Sequence, residues 1–243
     1  MNTYIILAAG KGASLRPLTL KYAKTSYRLD ESTTVLQRMV RSIRGADRDA
    51  EVVVVVGHRA GDVRAELDGL NCRFVANPFY EVTNSITSLW FARDYLEREN
   101  VAIVHGDAVF CDELVRDVLT VPTDRPYVLV DASCVRPGAY NAVVRDGRVL
   151  VMSRRLERFD AKYCCMAKLD PVTSRLLKQE VDDMVNGNMY DQYMEDALVQ
   201  MVMFHDLELG AVDVAGREWA EVDELEDLLA AQEIHRAGGG VAV

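Results

Sequence analysis

The chain has 243 residues, of which 49% are apolar and 27% charged, with a formal net charge of -10. That length suits one large soluble domain, and the acidic balance offers no basic field for nucleic acid. Five scattered cysteines, odd in number and without CxxC spacing, argue against a disulfide framework and against a zinc site. The N-terminus has no secretory-signal pattern and no apolar run is long enough to span a bilayer. These readings predict a cytoplasmic protein without a membrane partner.

Taken in order, Tyr4 to Ala8 reads as a buried strand that stops at Gly10-Lys11-Gly12. Thr33 to Ile43 has helical apolar spacing, with Ser32 or Thr33 as its N-cap. Glu51 to Val56 is an unbroken β-branched run, the mark of a parallel strand buried on both faces. Ala60 to Leu67 predicts a helix, Cys72 to Ala76 a strand, Ile86 to Leu96 an amphipathic helix and Val101 to His105 a strand. Leu114 to Leu119 and Tyr127 to Val130 add a short helix and a fifth strand.

Beyond Ser133 the pattern changes. Asp146-Gly147 between two apolar runs signals a type I′ hairpin. A strand is expected at Tyr163 to Lys168, helices at Pro171 to Val185 and Asp191 to Met201, a strand at Glu208 to Val214 and a terminal helix at Glu224 to Arg236. On strand alternation, Cys164 and Cys165 are expected to point to opposite faces. The alternation as a whole predicts an α/β fold with a doubly wound, mostly parallel, Rossmann-like sheet. We read residues 1–243 as a single domain, with a nucleotide-binding half at 1–132 and an acceptor-side half at 133–243 that carries a small hairpin and helical extension.

Ligands of such sheets bind at the carboxyl ends of strands. The Gly10 loop, Asn77-Pro78 and Gly106-Asp107 all fall there. A strand ending in Gly-x-Gly exposes backbone N–H groups beside Lys11, which suits phosphate oxygens. Lys11, Arg16, Lys21, Lys24 and Arg28 form a basic stretch in an acidic chain, which fits a small anionic ligand. The loop lacks the P-loop spacing, and Leu15 stands where a dinucleotide fingerprint needs its third glycine. The glycines alone could equally serve a tight strand-to-helix turn.

With Arg16-Pro17-Leu18-Thr19 added, the stretch from Leu7, Ala8 and Ala9 through Gly10 and Gly12 resembles the opening of the sugar-phosphate nucleotidyltransferase superfamily. Lys24 lies where that family has the lysine of a Pro-Lys pair, with Ala23 in place of the proline. Asn77, Thr83, Asn84, Ser85 and Ser88 match its base- and ribose-contacting segment, in a form most similar to the small phosphocholine and phosphonate cytidylyltransferases. Gly106-Asp107 and the late Trp219-Ala220-Glu221-Val222-Asp223 match its two metal-carboxylate segments.

The resemblance implies a Mg²⁺-dependent transfer of CMP from CTP to a small phosphonate or phospho-alcohol, with pyrophosphate released. It implies catalytic roles for Lys24, Arg16, Lys11 and Asp107, and Mg²⁺ on Asp107 and Asp223. Tyr190, Tyr193 and Glu195 resemble an aromatic and acidic cluster that holds an acceptor amine by cation–π and carboxylate contacts. Ser14 stands where the family has its loop arginine. A sugar 1-phosphate enzyme using another NTP and a catalytically silent nucleotide-binding homologue are the alternatives.

Local readings compete with several of these assignments. Asn84 or Ser85 could cap the following helix, Asp223 could cap the terminal helix, and Asp107 could be an ordinary turn aspartate. His105 reads as a core residue, Glu221 could be solvated, and the Tyr190 cluster could be the outer face of a plain amphipathic helix. The sequence leaves a homodimer open.

Overall fold

A computed structural model describes residues 1–12, 22–134 and 136–238. In chain order the elements are β1 (Asn2–Ala8), α1 (Val35–Ala46), β2 (Glu51–Val56), α2 (Ala60–Glu66), β3 (Arg73–Ala76), α3 (Ser85–Phe91), β4 (Asn100–His105), β5 (Ala108–Phe110) and α4 (Asp112–Leu114). They continue with β6 (Tyr127–Asp131), β7 (Asn141–Arg145), β8 (Arg148–Ser153), β9 (Ala161–Leu169), α5 (Pro171–Asn186), α6 (Met194–Phe204), β10 (Gly210–Asp213), β11 (Trp219–Glu221) and α7 (Leu225–Ala237).

Nine strands form one sheet in the order β3-β2-β1-β4-β9-β6-β10-β8-β7, and β11 pairs with β5 in a separate ribbon. The first four positions are parallel, as the buried β-branched runs predict. Val52 to Val56 of β2 are at most 1% exposed; each such side chain contributes about 2 kcal/mol of burial. The two faces carry separate cores. Tyr4, Ile6 and Ala8 pack on the side of α1, and Ile5 on the side of α3, α5 and α6.

The sheet is mixed, not mostly parallel as expected: β8 runs antiparallel to β10 and β7, β7 to β9, and β9, which belongs to the sequence-late half, lies between β4 and β6 and runs antiparallel to both. All nine of its residues are buried. The expectation that Cys164 and Cys165 face opposite ways fails. Cys165 has φ 58°, the β6–β9 register shifts beside it, and both cysteines pack in the same core cluster. A bulge breaks the period-two alternation on which that expectation rested.

Three smaller corrections have local causes. The α1 cap is Thr34, not Ser32 or Thr33: its hydroxyl accepts from Gln37 N at 3.2 Å while Gln37 Oε1 accepts from Thr34 N at 2.9 Å. The helix expected over 86–96 divides into α3 and a 3₁₀ segment at Arg93–Glu97. Arg93 turns back there, stacking on Trp90 and donating to its carbonyl at 2.8 Å. The helix expected over 191–201 starts three residues later, at Met194. The hairpin is as read, with Asp146 and Gly147 at φ 50° and 72°. Among the described residues, no helix is long and apolar enough to cross a membrane.

Candidate active site

The carboxyl ends of β1 and β4, the end of β11, the amino end of β9 and the starts of α3 and α6 meet around one cavity of about 670 Å³. Its lining brings together Leu7 to Gly12, Lys24, Asn77, Thr83, Asn84, Ser85, Ser88, Asp107, Tyr193, Glu195 and Asp223. Parallel strands end there with their backbone groups unpaired, and the turns that follow carry the polar side chains.

One wall is the loop after β1. Gly12 has φ 59°, in the region that favours glycine. Lys11 faces Glu81 at 3.5 Å. The loop is pinned from beneath by His58 N donating to Ala9 O at 3.0 Å. That approach requires Gly57, where a Cβ would meet Ala9 O and Tyr80 Cβ at 2.7 Å each. Gly106 has the same kind of role. It does not line the cavity, its N–H donates to Leu7 O at 2.9 Å, and a Cβ would meet Ala8 and Leu7 O at 3.0 and 3.1 Å.

A second part of the lining is organised by charge. The Lys24 ammonium lies 2.6 Å from Asp107 Oδ2 and also contacts Asp223 Oδ1. Burial would lower the lysine pKa, but the two carboxylates outweigh it and hold the ammonium well above its usual range. Burial would likewise raise Asp107, and Lys24 with His105 pulls it below the ordinary carboxylate value. Asp107 Oδ1 is buried without a hydrogen-bond partner among the described residues. Asp223 does not cap α7. The cap is Glu224, in a capping box whose third helical residue, Asp227, accepts from Asp223 N and Glu224 N at 3.0 and 2.8 Å, which leaves the Asp223 carboxylate for Lys24.

Asn77 is 1% exposed and its amide is committed within the protein. It accepts from Phe79 N at 2.9 Å and donates to Thr83 Oγ1 and Ser88 Oγ at 3.2 and 3.1 Å. Asn84 caps α3 by accepting from Ser85 N, and Ser85 Oγ accepts from Met194 N at 2.9 Å, so the two helix starts are stapled together. Both caps also line the cavity. Tyr190 does not line it. Its carbonyl accepts from Asn84 N and Thr87 Oγ1, again at the staple, and the residue is 44% exposed.

The sequence reading gives no site role to His105, read there as a core residue, or to Lys162 and Arg136, yet all three line the cavity. His105 Nε2 lies 2.7 Å from Glu195 Oε1. Burial lowers the imidazole pKa, but Glu195 more than reverses this and pushes it up to about 9. Lys162 lies 3.0 Å from Glu221 and over the Trp219 ring, and Arg136 pairs with Asp227 and Glu224 at 3.0 and 3.3 Å. His105, Cys165 and Glu221 have ligand atoms within 4.8 Å of one another, but the histidine and Glu221 are already engaged in these pairs. A charged residue in an otherwise buried strand, as at Lys162, was the one available signal. Arg16 and Ser14 lie outside the described residues.

The MobA-like NTP transferase domain family matches residues 4–164, well over half of the chain. The chain belongs to that family. The transferase domain is 31% identical over 238 residues to a bifunctional IPC transferase and DIPP synthase of Rubrobacter xylanophilus, covering 94% of this chain and 51% of that relative. The chain thus spans about half the length of that relative.

Two solved structures share the fold of the transferase domain. The CTP:phosphocholine cytidylyltransferase of Streptococcus pneumoniae has a TM-score of 0.77 at 19% identity, over 96% of this chain and 98% of that one. An inositol-1-phosphate CTP transferase of T. maritima has a TM-score of 0.79 at 18% identity, over 100% and 98%. The expected nucleotidyltransferase class and α/β fold are therefore borne out.

Proposed function

We propose that the chain transfers CMP from CTP to a small phosphonate or phospho-alcohol and releases pyrophosphate. The observation that carries this reading is Lys24, held between Asp107 and Asp223 in a cavity that the Gly10 loop also lines. Joining two anions is governed by charge neutralisation and in-line alignment, and needs no nucleophilic side chain. Backbone N–H groups of the loop and Lys11 would hold the outer phosphates, and Lys24 would bridge the α-phosphate and the incoming oxygen. Choice of CTP draws on the relatives whose names carry CTP transfer.

Two carboxylates, one with an orphaned buried oxygen, form a hard-oxygen set that fits Mg²⁺. Asp107 and Asp223 would hold the ion, which when bound supplies charge stabilisation at the α-phosphate. The scattered free cysteines fit a cytoplasmic setting.

The test is pyrophosphate release across four NTPs with a small acceptor panel. CTP is expected to be preferred, and Asp107→Ala is expected to lower turnover by at least a thousandfold while CTP binding persists. CTP binding without turnover of any acceptor would favour a silent homologue, and full activity of Asp107→Ala would sink the metal assignment.

A further inference from the structure

The organic end of the acceptor has its own chemistry, and its inference rests on the cytidylyltransferase reading. An ammonium group bound in a protein needs an open aromatic face or a carboxylate without a partner. The acceptor end of this cavity offers neither at its surface. Glu195 lies against His105 at 2.7 Å, and its two oxygens, although without a hydrogen bond among the described residues, are buried on a side chain with no exposed surface. Asp196 accepts from Tyr140 Oη at 2.6 Å and from Tyr193 N at 2.8 Å, one bond for each oxygen. Glu221 is paired with Lys162 and Glu224 with Arg136.

The aromatic rings are engaged as well. Tyr140 meets both Tyr163 and Tyr193 at near-perpendicular angles, so ring edges lie against ring faces. The guanidinium of Arg154 lies 5.6 Å from the Tyr193 ring centre, and its Nη1 donates to Tyr193 Oη at 2.9 Å. Its Nε donates to Gly138 O at 3.0 Å. No carboxylate among the described residues pairs with Arg154, although it lines the cavity. An incoming ammonium would therefore meet a cation where it needs an anion. A hydroxyl would meet donors and acceptors.

We propose that the acceptor is an anion whose organic end is neutral and hydroxylated, not an amine, and that Arg154 on the Tyr193 ring is the residue that selects it. This reverses the role that the resemblance implied for Tyr193 and Glu195. Glu195 acts as a positioning residue behind His105, and Tyr193 presents its hydroxyl and the arginine it carries.

The experiment compares kcat/KM at saturating CTP for hydroxyl acceptors (2-hydroxyethylphosphonate, inositol 1-phosphate) and ammonium acceptors (2-aminoethylphosphonate, phosphocholine), with acceptor binding to the CTP-loaded protein measured by calorimetry. The best hydroxyl acceptor is expected to exceed the best ammonium acceptor at least tenfold. Arg154→Gln is expected to narrow that ratio at least fivefold, with the KM for CTP and the thermal midpoint unchanged, and Arg154→Glu to narrow it further. An ammonium acceptor that binds or reacts as well as its hydroxyl counterpart overturns the proposal. So does an unchanged ratio in folded Arg154→Gln. Failure of the protein to bind CTP at all would sink the underlying reading, and this proposal with it.

Discussion

A lysine without solvent is a test of how far this sheet tolerates charge. Lys168 on β9 is fully buried, donates from Nζ to Leu119 O at 2.9 Å and lies over the Tyr4 ring at 5.4 Å. Burial pulls its pKa down to about 8, with Asp47 offsetting part of the effect. At this residue the unfolded chain therefore binds more protons than the folded one between about pH 8 and the usual lysine value near 10.5, and the contribution of Lys168 to stability rises with pH across that window. The gain is at most about 3 kcal/mol, since each pKa unit corresponds to about 1.4 kcal/mol. Other groups titrate in the same window, so the comparison isolates the lysine: between pH 7.5 and 10 the urea midpoint of the native protein should gain relative to that of Lys168→Met. Lys24 is the contrasting case: less enclosed, with 12% of its side chain exposed, it has two carboxylates and stays charged.

At the scale of elements, the site depends on two close fits. One is the staple between the starts of α3 and α6, and the other is the contact of the first loop with the end of β2. Gly57→Ala places a methyl against a backbone oxygen and Tyr80, and overpacking of this kind costs about 1–3 kcal/mol. The expected outcome is a lower thermal midpoint together with a raised KM for CTP, because the atoms that must move belong to the loop. An unchanged KM with a lowered midpoint would confine Gly57 to packing.

The local elements were legible where period and turn chemistry coincided. The valine run of β2 and the Asp146-Gly147 turn need no partner elsewhere in the chain to declare themselves. The bulge at Cys165 was hidden because it lies in a pairing of strands distant in the chain, and the break at Arg93 because a contact back to Trp90 ends the helix with no glycine or proline to signal it. Asp107 and Asp223 could be picked out by their segments. The pairs Lys162–Glu221, Arg136–Asp227 and His105–Glu195 could not, since nothing local records which of many charges will meet across about 60 to 90 residues.

Across the whole molecule, the two sequence halves interleave. Because β9 lies between β4 and β6, residues 1–132 contain both neighbours of a strand that they do not contain. A fragment ending at 132 is expected to show no cooperative thermal transition in calorimetry; a sharp one would mean that the first half folds alone. Residues 133–243 therefore supply part of the core as well as part of the cavity lining.

The position of β9 also sets an order of events in time. On a growing chain β6 emerges before the strand that must separate it from β4, so direct pairing of β4 with β6 is an accessible trap until residue 169 is available. Pairing across that many residues is slow to close, and loop-closure entropy must be met before burial rewards it. The nine-residue buried strand that finishes the site's floor is thus also the late step on which the rest of the sheet waits.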